Sequence, residues 1–263
     1  MAPMPSPLFY HPRFSKFDFG EGHPFRGDRF WGFMDLFRER GLEDGVRFEV
    51  REPSAAKAEE LRSVHRESYL DLVRELEKKQ GYLSIDTQVM KGLPDAALLI
   101  CGASRDATEA VLEEGAAPVS YSFGGFHHAG PDYGEGFCLY NDVAFAAETA
   151  LEHRGIGRVA IVDTDAHQGN GTMDIFLRRP DVLFISIHQD PTTLYPGRGF
   201  IGDVGTGEGE GFTVNVPMPP GASTPQYREA LSSVVVPVLE MYRPDLVIRN
   251  GGSDPFFGDI LTH

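Results

Sequence analysis

Residues Val159–Thr172 read VAIVDTDAHQGNGT, and the folding of this stretch decides the architecture around it. Val159, Ala160, Ile161 and Val162 form an apolar run suited to a buried strand. Asp163, Asp165 and His167 then recur at a spacing of two, which on an extended chain predicts all three side chains on one face. Gly169 and Gly171 predict a tight turn into a helix near Thr172. A carboxylate and an imidazole leaving the C-terminal end of a buried strand together can supply two ligands to one divalent metal. The same residues also read as two aspartates in a polar turn, with His167 satisfied by a hydrogen bond. This stretch alone leaves both readings open.

Working outward, strands and helices alternate. Upstream, residues 1–26 read as irregular chain, with His11 and His23 each followed by proline and better suited to shaping a loop than to binding a ligand. A helix from Asp28 to before Gly41 is predicted to bury Phe30, Phe33 or Met34, and Phe37. Val46–Val50 predicts a strand; Ala55–Leu61 and Glu67–Leu76 predict helices, the second burying Leu72, Val73 and Leu76. Residues 80–92 show no clean period and read as a loop. Pro94 opens a helix through Glu114, stopped by Gly115. Ala117–Phe123 predicts a strand, and Asn141 caps a helix from Asp142 to His153.

Downstream of the central stretch, a short helix to Leu177 leads to strand Val182–Ile187, and the Gly- and Pro-rich residues 189–211 read as a long loop, a length that commonly serves function. Phe212–Val216 predicts a strand, Pro225–Tyr242 a helix bent near Pro237, and Asp245–Ile248 a last strand ending in RNGGSDP. Alternation with crossover connections predicts a three-layer α/β/α domain around a central, mostly parallel sheet. No internal repeat or linker divides the 263 residues, so a single domain is expected.

Composition narrows the function. Acidic residues outnumber basic ones by 39 to 24, a net charge of -15, which opposes a nucleic-acid backbone as direct partner and suits a cationic substrate. Two cysteines, Cys101 and Cys138, build neither a disulfide framework nor a Cys-rich zinc module. No apolar run reaches about 18 residues and the N-terminus lacks the order of a secretory signal, so a cytoplasmic protein without membrane contact is expected. No glycine-rich loop has dinucleotide or Walker spacing.

Four polar clusters, at 124–141, 163–170, 188–199 and 250–254, follow strands, and in open α/β sheets ligands bind at that edge. Asp165 and His167 can bind a metal, and Asp254 can supply a third ligand, leaving an open position as in catalytic zinc sites. His127-His128 can move protons, with Asp163 orienting one imidazole.

Phe126-His127-His128-Ala129, then Gly136-Phe137-Cys138-Leu139-Tyr140-Asn141, then DTDAHQGNGT, then NGGSDP, taken in order, closely resemble the zinc-dependent histone deacetylase superfamily. That superfamily includes bacterial acetylpolyamine and acetoin-utilisation-type deacetylases. The resemblance covers nearly the whole chain and implies the arginase/deacetylase fold. It implies one Zn2+ per chain on Asp165, His167 and Asp254, and hydrolysis of N-acetyl or other N-acyl groups on lysine side chains or polyamines. Within it His128 matches the general base, His127 its tandem partner, Asp163 the carboxylate behind His127, and Asn170 the residue behind His128. Phe137 and Tyr195 match the walls of an acyl-lysine tunnel, and Gly136 and Gly252 fall in the motifs that line it. Asp163, Asp165, His167 and Ser186 resemble contributors to a structural monovalent-cation site, such as one for K+. Homo-oligomerisation is compatible with these features.

Departures carry information too. Phe123-Gly124-Gly125-Phe126 stands where an R-P-P-G lead is familiar, so contacts made by that arginine are not expected. Gln168 replaces a second histidine at a position that is not a ligand. Gly169 and Phe256 stand where arginase-type relatives would need extra carboxylates, which favours one metal and deacylation. Members that cleave acyl-lysine place an oxyanion-binding tyrosine well beyond the third metal ligand, but the latest tyrosine here is Tyr242. The expectation is therefore a domain incomplete at its C-terminus, with weak deacylase activity. The competing expectation is a protein that binds metal and acyl ligand with little or no turnover.

Overall fold

The computed structural model describes residues 4–112 and 118–262. They fall into two compact units, Met1–Ala150 and Leu151–His263.

The first unit opens with β1 (Ser6–Phe9), within the stretch expected to be irregular. Then come α1 (Asp28–Glu39), β2 (Phe48–Arg51), α2 (Glu67–Lys79), β3 (Tyr82–Ser84), β4 (Thr87–Gln88), α3 (Leu93–Leu112), β5 (Tyr121–Ser122) and α4 (Asp142–Glu152). β1 is the middle strand of a parallel sheet ordered β2-β1-β5, with Leu8 opposite Val50 and Tyr121. Pro7 and a length of four residues hide it from a local reading, because only pairing with β2 and β5 makes it a strand.

Residues 10–26, expected as irregular chain, contain a 3-10 helix over Pro12–Lys16 opened by the His11 side chain, and they carry an aromatic core. Phe14 and Phe17 are fully buried, and Phe17 lies 4.6 Å from the ring of Phe126. α1 buries Phe30, Met34 and Phe37, while Phe33 stays half exposed. α2 buries Tyr69, Leu70 and Val73; Leu72, expected inside, is exposed because the buried stripe passes to one side of it.

Two further expectations give way in this unit. Residues 55–61 form no α-helix, only a short 3-10 turn over Glu60–Ser63. The Ala56 N–H donates to Leu98 O on α3, and the Ser54 N–H to Asp106, so these amides are committed away from a local helix. Residues 80–92, expected as loop, contain the antiparallel hairpin β3–β4. α3 begins at Leu93 with Pro94 in its first turn; its expected end at Glu114 and Gly115, and Ala117 of the next expected strand, lie outside the described residues.

The second unit contains β6 (Val159–Asp163), α5 (Asn170–Phe176), β7 (Val182–Gln189), β8 (Thr213–Met218), α6 (Thr224–Ala230), α7 (Val236–Tyr242) and β9 (Leu246–Asn250). Its sheet, ordered β8-β7-β6-β9, is parallel throughout, with Ile161 opposite Phe184 and Ile248. β6 and β7 are buried along their whole length, as the continuous apolar run predicts. Ala160, Val162, Leu183, Ile185 and Ile187 pack with Val235, and Leu231, Val238, Leu239 and Tyr242 close over them. Between α6 and α7 the helix widens to π turns over Leu231–Val235, immediately before Pro237, whose ring removes one backbone donor. The expected bend is therefore a change of helical pitch.

Candidate metal centre and tandem histidines

β6 ends at Asp163, so strand alternation does not align Asp163, Asp165 and His167. Residues 164–167 instead form a tight turn held by side chains. The Asp165 N–H donates to Asp163 Oδ1 (3.1 Å), the Ala166 N–H to Asp254 Oδ1 (2.9 Å) and the His167 N–H to Asp165 Oδ1 (2.8 Å). Carboxylates take the amides that a continuing strand would have paired with its neighbours. Asp163 is fully buried and also accepts Asn250 Nδ2 at 3.0 Å, while the Thr164 N–H and hydroxyl both donate to Asn250 O. The end of β9 is thereby tied to the end of β6, which delivers Asp254 to the turn.

The outcome is a cluster of Asp165, His167 and Asp254 with ligand atoms within 4.8 Å of one another. His167 Nδ1 lies 2.6 Å from Asp254 Oδ2 and 3.1 Å from Asp165 Oδ1. Burial pushes the imidazole toward its neutral form, but hydrogen bonds and charge from the two aspartates outweigh it and raise His167 to about 9. Burial also raises Asp254, aided by the neighbouring Asp165 charge and opposed by the His167 hydrogen bond. Two carboxylates largely withdrawn from water around one imidazole carry more negative charge than His167 can neutralise. A Cβ at Gly252 would overlap the Asp165 carboxylate, so only glycine leaves room for it there. Donor types, spacing and cradle fit a divalent cation.

Around this cluster, Ser186 is buried on β7, opposite Asp163. It sits 2.9 Å from His188 Nδ1, and His188 Nε2 lies 2.9 Å from Gly199 O. With the Nε2–H given to that carbonyl, Nδ1 accepts the serine hydroxyl, and burial holds His188 below its usual range. His188 thus pins the long loop to β7, a role its position just past a predicted strand did not disclose. Tyr195, in that loop, is partly exposed with its ring 6.3 Å from that of His167. Asn170 is buried at the start of α5.

In the first unit, His127 and His128 are both buried, with ring centroids 4.1 Å apart. The turn before them is built on Asp142. This buried carboxylate accepts the Gly125 N–H (3.0 Å), the Phe126 N–H (2.8 Å) and the Ser104 hydroxyl (2.7 Å). Burial raises its pKa, and those donors pull it back. A Cβ at Gly124 would overlap that carboxylate, which gives the unusual Phe-Gly-Gly-Phe lead a packing reason. Asn141 caps α4 by accepting the Ala144 N–H at 2.8 Å, and its Nδ2 donates to Ala129 O just after the histidines.

Gly136 and Phe137 follow with left-handed backbones, φ 55° and 68°. A Cβ at Gly136 would overlap the His128 ring. The Phe137 ring meets the edge of His23 at 4.5 Å, and His23 stacks on Phe19. Sequence reading passed over the hairpin β3–β4 that supports this loop. The polar residues of Ser84-Ile85-Asp86-Thr87 were its one available signal.

Fold and site together define a parallel α/β protein with a carboxylate–imidazole cluster that could hold a metal at the strand ends of one unit and buried tandem histidines in the other. The family model described as histone deacetylase domain matches residues 23–263. A probable deacetylase of Archaeoglobus fulgidus is 38% identical over 258 residues, covering 97% of this chain and 70% of the relative. The acetoin utilization protein AcuC of Bacillus subtilis is 32% identical over 268 residues, covering 98% and 68%. The crystal structure of an acetylpolyamine aminohydrolase from Burkholderia pseudomallei superposes with a TM-score of 0.85 at 28% identity, covering 98% of this chain and 84% of that one. The chain belongs to the histone deacetylase family, and is a hydrolase of that family with its α/β fold.

Proposed function

We propose that this chain hydrolyses N-acetyl, and more broadly N-acyl, groups on cationic amines, either lysine side chains or polyamines, with one Zn2+ held by Asp165, His167 and Asp254. The observation that carries the reading is the convergence of those three side chains on one point. The family match over residues 23–263 supports treating the chain as one deacetylase-like domain. A relative named as an acetylpolyamine aminohydrolase and a net charge of -15 support a cationic amine, and among the described residues no helix is long and apolar enough to cross a membrane. A cytoplasmic location is part of the same proposal.

Zinc bound at this cluster supplies Lewis acidity toward an amide carbonyl and a lowered pKa for water. His128 accepts the proton of the attacking water and returns it to the amine as the C–N bond breaks. His127, with Asp163 as its orienting carboxylate and Asn170 behind His128, stabilises charge during that transfer. Phe137 and Tyr195 hold the aliphatic stem, and Gly136 and Gly252 keep its path open. A structural K+ bound through Asp163, Asp165, His167 and Ser186 is included in the reading.

The test is metal content and acetate release measured together on purified protein. Asp165→Ala, His167→Ala and Asp254→Ala should each lose zinc. His128→Ala should keep zinc and lose at least a hundredfold in rate. Stoichiometric zinc in the wild type with no acetate from acetyl-lysine peptide or acetylpolyamine would leave a metal- and acyl-ligand-binding protein. Full zinc in Asp254→Ala would remove that residue from the metal.

A further inference from the structure

The hairpin β3–β4 carries no group in the proposed reaction, yet it contacts the loop that does. Thr87 is fully buried, and its Oγ1 accepts the Phe137 N–H at 2.9 Å. Asp86 Oδ1 accepts the neighbouring Gly136 N–H at 3.2 Å and the Thr87 hydroxyl at 2.9 Å. Ser84 donates to the same oxygen at 2.5 Å. Two successive loop amides thus end on two successive hairpin side chains, and one hydroxyl joins them. From the same hairpin, Leu83 packs against Gly134, where a Cβ would lie 2.9 Å from Leu83 Cδ1. Farther along the same loop, the Tyr69 hydroxyl donates to Leu139 O at 2.7 Å.

What these bonds hold is a conformation the loop would not choose alone. Phe137 is a bulky residue at φ 68°, a region that L side chains other than Asn and Asp rarely occupy. Gly136, at φ 55°, lies so close to His128 that no side chain fits between them. Relaxing Phe137 to negative φ would swing its ring away from His23 and turn Gly136 on the face of His128. Strained backbone of this kind persists where its surroundings over-determine it.

We propose that Thr87, assisted by Asp86, is a positioning residue of the acyl site: it locks the Gly136–Phe137 turn, and through it the substrate wall at Phe137 and the ring of His128. This rests on the reading above that Phe137 lines the acyl path and His128 moves the proton. The lock is a hydroxyl acting as acceptor and donor at once, toward Phe137 N–H and Asp86. Serine can replace it. Valine fills the same volume but does neither.

The experiment compares wild type with Thr87→Val and Thr87→Ser, each checked for zinc content and folding. Hydrogen exchange at the Phe137 amide and the His128 ring resonances are read by NMR, whether or not the protein turns over. Wild type and Thr87→Ser should protect the Phe137 amide; in Thr87→Val it should exchange at least tenfold faster, with His128 resonances displaced. Rates on acetyl- and butyryl-lysine peptides are measured in parallel. Their ratio is blind to the fraction folded, so a general loss of stability leaves it unmoved. A displaced wall should change it at least fivefold in Thr87→Val, with Thr87→Ser within twofold of wild type. An unchanged Phe137 amide and unchanged His128 resonances in folded Thr87→Val overturn the lock. An unchanged ratio with zinc intact overturns its link to the acyl site. A wild type that releases no acyl group counts against the proposed reaction, and the NMR comparison still decides the lock.

Discussion

At the scale of single residues, hydrogen-bond direction decides which imidazoles are free to act. His65 Nε2 accepts the Asn141 N–H at 2.9 Å, so its Nδ1 must carry the proton that reaches Gly130 O at 2.7 Å. Both nitrogens are committed and the ring is neutral. Burial lowers its pKa to about 4 from the usual 6.5, opposed by the Gly130 carbonyl. A histidine held neutral in the fold contributes stability above its unfolded pKa, and loses it as pH falls from 6.5 toward about 4. At about 1.4 kcal/mol per pH unit this interval corresponds to roughly 3 kcal/mol. His65 should therefore show no ring titration by NMR above about pH 5, and urea stability should fall across this window by more in wild type than in His65→Gln. A normal His65 midpoint near 6.5 would contradict this account. The residues around His65 do not disclose this role, because the carbonyl and amide that fix its tautomer lie 65 and 76 residues away.

At the scale of elements, β6 is the strand on which the second unit depends. It pairs with β7 on one side and β9 on the other, and all five of its residues are buried. Ile161, at its centre, is fully buried. Ile161→Ala should cost about 2–5 kcal/mol, the range for emptying a packed aliphatic site. The loss should appear in the urea midpoint with an unchanged slope. A cost below about 1 kcal/mol would mean the strand is not packed as described. β6, β7, α3 and α4 were all readable from local pattern, since their apolar periods run long enough to show. β1, of four residues, and the hairpin β3–β4 were not, because short strands exist only through their partners.

For the molecule as a whole, excess negative charge is a standing cost that a bound cation offsets. The chain carries -15, and Asp165 and Asp254 concentrate part of that charge around His167. A metal that binds only the folded state stabilises it by mass action, by about 2.7 kcal/mol at a hundred times its Kd. For a protein of this size that is about 5–10 °C in Tm. Zinc added to chelator-treated protein should raise Tm by this amount, and Asp254→Asn should abolish most of the rise. An equal rise in Asp254→Asn would place the stabilising metal elsewhere.

The amino-acid sequence by itself determined the parallel α/β class and the buried strand at Val159–Val162, and it supplied the candidates for binding a metal or moving a proton. These properties follow from residue type and short-range period, which any window of a dozen residues contains. Only the tertiary structure decided how Asp165, His167 and Asp254 meet. The strand stops at Asp163, and the turn beyond it is shaped by carboxylates, one of them 88 residues distant from the amide it accepts. It also decided that Thr87 and Asp86 hold a loop 50 residues away. Such bonds join groups with no neighbouring residues in common, so their partners become identifiable only when the chain has closed the loop between them.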